Sequence, residues 1–104
     1  MHVVASTGPR GLSGARNTGV RRAGGEVVAF LDDDAVASRA WLARLAAPYR
    51  DPRVVGVGGA AVPHFVAGRP VWLPPEFDWV VGCSYRGQPV RPAPVRNFIG
   101  ANMS

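Results

Sequence analysis

Lysine is absent from this chain, cysteine occurs once, and no apolar run approaches the length needed to cross a bilayer. Each scarcity excludes something. The lone Cys83 rules out an internal disulfide and any zinc site built from cysteine alone, and leaves a packed or idle thiol. A membrane span requires roughly 18 consecutive apolar residues, and the first residues lack the charged segment and apolar run of a secretory signal, so the sequence reads as cytoplasmic. With no lysine, the net charge of +5 comes from 12 arginines. Arginine grips phosphate through a planar fork, which raises nucleic acid as a partner. Only Arg21 and Arg22 are adjacent, and a basic stripe with interleaved aromatics is missing, so nucleic acid is set aside. Arginine in place of lysine beside abundant Ala, Gly and Val also fits a GC-rich coding sequence, which carries no functional information.

What remains is a small domain of 104 residues, 47% hydrophobic, with 13 Gly and 10 Pro and no internal repeat. His2-Val3-Val4-Ala5-Ser6 suits a short strand, and Thr7-Gly8-Pro9-Arg10-Gly11 breaks it with turn chemistry. A helix capped by Ser13 follows, with Ala15, Val20 and Ala23 as its apolar side and Gly24-Gly25 as its stop. Gly19 inside that helix suggests close packing, a nearby ligand or a tolerated surface glycine. Residues 26–31 form a near-continuous apolar run, as in parallel strands buried on both faces. Ser38 caps a second helix through about residue 49, with Trp41, Leu42, Leu45 and Ala46 as its core stripe, and Asp51-Pro52 ends it. Residues 53–62 read as the next strand, whose glycines admit either a bulge or a close approach. Strand, helix, strand, helix, strand predicts an α/β sheet of mainly parallel order.

The triplet Asp32-Asp33-Asp34 directly follows Phe30-Leu31. On extended backbone, alternate side chains share a face, which would bring Asp32 and Asp34 together. Two hard oxygen ligands suit Mg²⁺ or Mn²⁺, which take one or two carboxylates and complete their shell with water and substrate phosphates. An acidic turn that complements a helix dipole is the plainer alternative.

The stretch from Gly11 to Leu31, with Ala15-Arg16-Asn17-Thr18-Gly19 at its centre and the aspartates at its end, resembles the nucleotide-sugar half of a family 2 glycosyltransferase. In that family an "ARN-x-G" helix feeds a strand ending in a "D-x-D" motif, and the likeness covers most of residues 3–62. Asn97-Phe98-Ile99-Gly100-Ala101-Asn102-Met103-Ser104 resembles the family's "G-x-N-x-x" segment on the acceptor side. The resemblance implies a partial GT-A fold, a Rossmann-like sheet with flanking helices, split into a nucleotide-sugar-binding part (1–62) and a Pro/Gly/aromatic-rich acceptor-side part (63–104). It implies a metal-dependent transferase that takes a nucleotide-diphosphate sugar and a glycan or lipid-linked acceptor, the latter leaving membrane-surface association open. It also assigns roles. Asp32 would contact ribose, Asp34 and Asp32 the metal, and Asp33 the nucleotide sugar in an undefined way; Arg16 would be a charge partner and Asn17 a brace for the nucleotide. Gly100 and Asn102 would lie on the acceptor side.

From residue 63 to 94 the chain is rich in Pro, Gly and aromatics and reads as a long functional loop with a hairpin. Trp79 could present its face to a sugar; alternatively Trp72 and Trp79 pack the far edge of the sheet. The acceptor hydroxyl needs a general base, which the family places in a later "E-D" segment. Glu76 and Asp78 are the late carboxylates here and do not match it, and His64 reads as a loop residue. The base and the family's opening strand and helix are therefore expected outside this chain, which alone is expected to be inactive. Two other classes compete: a non-catalytic nucleotide or divalent-cation module, which needs no base, and a structural α/β piece whose aspartates cap a helix.

Overall fold

Gly11 sets where the first helix begins. In the computed structural model, which describes residues 2–104, its φ of 118° lies where L side chains are strained, and α1 runs Leu12–Arg22 from there. Ser13, expected as the cap, falls inside the first turn, and no side chain caps the helix. The buried face also differs from the Ala15, Val20, Ala23 side: Gly14 and Thr18 are the buried residues. The loop before the helix decides this. A Cβ on Gly14 would collide with the Pro9 carbonyl oxygen. The Thr18 hydroxyl accepts from the Thr7 N–H at 3.2 Å and donates to the Gly14 carbonyl at 2.9 Å. Gly19 faces open space and is a surface glycine.

The sheet departs most from expectation. Residues 2–6 are exposed and form no ladder, and the apolar run before the aspartates pairs only at β1, Phe30–Leu31. Its partner is β2, Asn102–Met103, and the pair is antiparallel, Phe30 opposite Met103 and Leu31 opposite Asn102. On β2's other side residues 57–59 form an antiparallel bridge rather than a ten-residue strand. Gly58 bridges Met103, Val57 and Ser104 exchange bonds of 3.0 and 2.8 Å, and the Gly59 N–H donates to the Asn102 carbonyl at 3.0 Å. The last three residues thus sit between two segments, and the expected parallel order is replaced by antiparallel pairing.

The glycines of 56–59 explain how this fits. A Cβ on Gly58 would lie 2.6 Å from Phe98 Cδ1, one on Gly56 2.9 Å from Phe98 Cε2, and one on Gly59 would collide with the Asn102 amide. Close approach, rather than a bulge, is their role. α2 spans Trp41–Ala46 and tightens into a 3-10 turn, Ala47–Arg50, because Pro48 has no N–H to continue the α pattern. Ser38 meets this helix only through its carbonyl, which accepts from Trp41 N at 3.0 Å, and Leu45 is the one buried residue of the expected stripe. Residues 63–94 contain a 3-10 helix, Pro75–Val81, instead of a hairpin. Pro75 at its start supplies a preset φ, and Gly82 ends it at φ 72°.

Apolar packing is thin. Leu45 and Leu73 are the buried hydrophobic residues among those described, while many valines and Trp72 face outward. The radius of gyration of 15.2 Å exceeds the roughly 13 Å of a close-packed chain this long. Hydrogen bonds around β2 therefore carry an unusual share of the stability. Asn102 is central: its Oδ1 accepts from Trp41 Nε1 at 2.9 Å and its Nδ2 donates to the Ala60 carbonyl at 2.8 Å.

Asn102→Ala should lower unfolding stability by about 1–3 kcal/mol through two lost bonds, and in urea titrations its effect should be non-additive with Trp41→Phe. Gly58→Ala should cost a similar amount, about 1–3 kcal/mol, since the new methyl meets the root of the Phe98 ring rather than a flexible tip. A Gly58→Ala protein with the wild-type urea midpoint would show that this close approach is not a constraint.

Candidate functional site

A cleft with Arg16 and Asp32 as its charged residues opens at the carboxyl end of β1. Its volume is about 310 Å³, and α1 contributes Leu12 and Arg16, one helical turn apart and so on one face. Asp32 stands at the strand end; Trp79 and Gly82 come from the 3-10 helix and its cap, followed by Cys83 and Tyr85; Ile99, Gly100 and Ala101 close the remaining side.

Arg16 organises this space. Its Nη2 donates to the Gly100 carbonyl at 3.0 Å and lies 3.5 Å from Asp32 Oδ1, and its guanidinium stands over the Phe30 ring at 5.6 Å. The Arg16 side chain is 22% exposed and that of Asp32 42%. A Cβ at Gly100 would sit 2.9 Å from Arg16 Nη2, so a side chain there would push the guanidinium tip aside. The segment expected on the acceptor side thus holds Arg16, the residue expected on the nucleotide side.

The aspartates lie where the strand reading puts them, at the carboxyl end of β1, but alternation does not run through them. Ala35 N donates to the Asp32 carbonyl at 3.1 Å, so Asp33 and Asp34 occupy a turn. Both are exposed while Asp32 is partly buried. Asn17, one position past Arg16, is exposed and does not line the cleft. Asn102 is committed to Trp41 and Ala60. Trp79 is exposed on the cleft wall and Trp72 lies outside it, so neither packs the sheet edge. Leu12, Tyr85 and Ile99 escaped the sequence reading. The four-residue step from Leu12 to Arg16 was the available signal for the first; the other two are joined to the cleft only by tertiary contacts.

The late carboxylates are both held by arginine. Asp78 is buried and receives two bonds from Arg69, at 2.7 and 2.9 Å, which hold its carboxyl below the ordinary range. Glu76 pairs with Arg86 at 2.8 Å. Cys83 is shifted the other way: burial first, then the negative charges of Asp78 and Asp34, raise its thiol pKa. No cluster of three potential metal ligands occurs among the described residues. Carboxylate oxygens such as those of Asp32 and Asp34 are the donor type that Mg²⁺ or Mn²⁺ takes alongside water and phosphates.

Comparison with known sequences gives two findings. The profile described as glycosyl transferase family 2 matches residues 1–104. A glucosyl-dolichyl phosphate glucuronosyltransferase from Haloferax volcanii is 44% identical over 96 residues, which is 91% of this chain and 31% of that protein. The chain thus spans about a third of this relative's length. No solved structure matches it.

The raised Cys83 thiol gives a test of the cleft's electrostatics. Alkylation by iodoacetamide at pH 7.5 should be slower than for free cysteine, with a midpoint above the usual value of about 8.5. Asp34→Asn should move that midpoint down. An unchanged profile would place Asp34 away from the cleft. The same shift makes stability fall as pH rises past the unfolded thiol's pKa, because the unfolded chain loses its proton first.

Proposed function

The chain belongs to glycosyl transferase family 2, and we propose that its protein transfers a sugar from a nucleotide-diphosphate sugar to a glycan or lipid-linked acceptor, with the cleft at the end of β1 as part of the donor site. The observation that carries this reading is the convergence of Asp32, Arg16 and Gly100 at a strand's carboxyl end, where α/β folds place ligands. The lipid-linked acceptor is supported by the name of the Haloferax volcanii relative. On this reading the small α/β arrangement is part of a GT-A sheet, with 1–62 on the donor side and 63–104 on the acceptor side.

Each residue then has a task. Asp32, anchored by Arg16, would receive ribose hydroxyls, and Asp34 with Asp32 would hold Mn²⁺ or Mg²⁺. Such an ion supplies Lewis-acid stabilisation of the charge that develops on the departing diphosphate. Arg16 contributes a fixed positive charge on the same side, with its fork preset by the Gly100 carbonyl. Asn17 and Asp33, exposed and outside the cleft lining, would meet only solvent-side parts of the nucleotide, and Trp79 would offer an aromatic face to a sugar. Asp78 is a poor candidate for the base that takes the acceptor proton, since Arg69 occupies both its oxygens and keeps its proton affinity low.

The alternative of a non-catalytic nucleotide or cation module is separated by turnover. The protein at full length, given a panel of nucleotide-diphosphate sugars, glycan and polyisoprenyl-phosphate acceptors, and Mn²⁺, should form glycosylated product and release nucleotide diphosphate. EDTA should abolish the reaction. Asp34→Ala should reduce it by more than about 100-fold, and Asp33→Ala by less. Metal-dependent nucleotide binding without product would favour the module, and activity that survives both EDTA and Asp34→Ala would remove the metal assignment.

A further inference from the structure

Asp78 is the one charged residue buried among those described, and the proposed chemistry gives it no task. A buried ion pair is costly to desolvate, and apolar side chains of similar volume often stabilise a fold as well or better. What an arginine–carboxylate fork adds is direction. Arg69 meets Asp78 with two bonds of 2.7 and 2.9 Å, gives a third to the Leu73 carbonyl at 3.1 Å, and stands over the Phe65 ring at 4.9 Å. Residues three apart eclipse one another in a 3-10 helix, so Pro75–Val81 has three edges. Asp78 lies on the edge that meets Arg69. Phe77 and Val80 border an apolar groove with Trp72, Leu73 and Pro74, whereas Trp79 and Gly82 line the cleft. The Asp78 main-chain carbonyl also accepts from the N–H of Cys83, a further cleft residue, at 3.0 Å.

We infer that Arg69 and Asp78 are positioning residues for the cleft: their fork fixes residues 79–85 as one of its walls, although neither side chain lines it. The β1–β2 ladder that holds the Asp32 side does not extend to this segment, so the wall needs fastenings of its own. At its far end the Ser84 N–H donates to the Ala61 carbonyl at 2.8 Å, and the Ala61 N–H donates to Ser84 Oγ at 3.0 Å. At the helix end stand the buried fork and the Glu76–Arg86 pair. The second of these is exposed and weakened by solvent. The fork is therefore what keeps Trp79 and Cys83 against the cleft. A wall in place for only part of the time lowers ligand affinity by that fraction and leaves the bound complex unchanged. On the donor-site reading, which this inference deepens, the pair sets donor affinity rather than turnover.

The full-length protein offers two readouts. Alkylation of Cys83 by iodoacetamide, followed on its own peptide by mass spectrometry, reports the wall without any ligand. Burial and then the charge of Asp78 raise this thiol's pKa, so Arg69→Met, which leaves that charge unpaired, would by electrostatics alone slow the reaction. Release of the wall predicts the opposite, an acceleration of at least about fivefold as the segment opens locally. The second readout is the KM for the donor sugar, taken as the one turned over fastest in the panel above. It should rise roughly tenfold in Arg69→Met, with kcat within about twofold of wild type. Circular dichroism verifies folding; should Arg69→Met not fold, Arg69→Lys, which keeps the charge and loses the fork, should show smaller changes of the same sign. Unchanged or slower alkylation in a folded variant overturns the inference. So does a fall in kcat at the wild-type KM, the pattern of a merely structural pair that lowers the amount of active enzyme. A wild type that forms no product from any donor removes the donor-site reading instead, and the alkylation rates then decide the positioning by themselves.

Discussion

The structure depends on the insertion of residues 102–104 between two segments that are far away in sequence. A backbone N–H or C=O without a partner is costly when taken from water, and this strand satisfies both neighbours at once. β1 on one side and residues 57–59 on the other are tied to it by ladder bonds. Side chains reinforce the joint, as Trp41 and Ala60 hold the Asn102 amide and Tyr49 bonds the Ser104 hydroxyl at 3.0 Å. With two buried hydrophobic residues described, such bonds cannot be treated as minor corrections to an apolar core. They define which segments meet.

The same insertion builds the candidate site. The Asn102 N–H donates to the Ile99 carbonyl at 3.1 Å, closing the turn that sets Gly100 against α1. The Gly100 carbonyl then receives Arg16, and Arg16 reaches the Asp32 carboxylate at the end of the strand that β2 pairs with. Strand pairing and arginine placement are two sides of one loop closure. A disturbance of the ladder would be felt in the cleft without any change to a residue that lines it.

Much of this was legible in the sequence where the signal is local. Gly11 to Gly25 reads as loop, helix and stop, and the aspartates read as the end of an apolar strand; the structure keeps both. The signal failed where the partner is distant. Asn102-Met103-Ser104 has no β-branched residue and gives no period, so its place between strands was invisible. Gly56, Gly58 and Gly59 looked like a bulge because Phe98 and Asn102, which press on them, lie some forty residues later. The buried face of α1 was misread for a related reason: a polar loop, rather than an apolar core, covers it, so hydrophobic spacing pointed to the wrong side. Prolines at 74 and 75 suggested a loop, although proline at the first turn also starts a 3-10 helix.

Asp78 shows how structure changes the meaning of a residue whose type suggests catalysis. A late carboxylate beside tryptophan invites a role as base, yet its proton affinity is lowered by Arg69, whose guanidinium also donates to the Leu73 carbonyl at 3.1 Å and stands over Phe65 at 4.9 Å. The pair therefore straps residues 65–73 to the helix that carries Trp79. Since the folded-state pKa is depressed, the stabilisation is present above the unfolded aspartate's pKa and is lost as pH falls through the folded value. At neutral pH the strap is closed. Its carboxylate holds the helix in place between the cleft and the apolar groove, and that fixed helix lets one short segment present chemically different edges to two different surroundings.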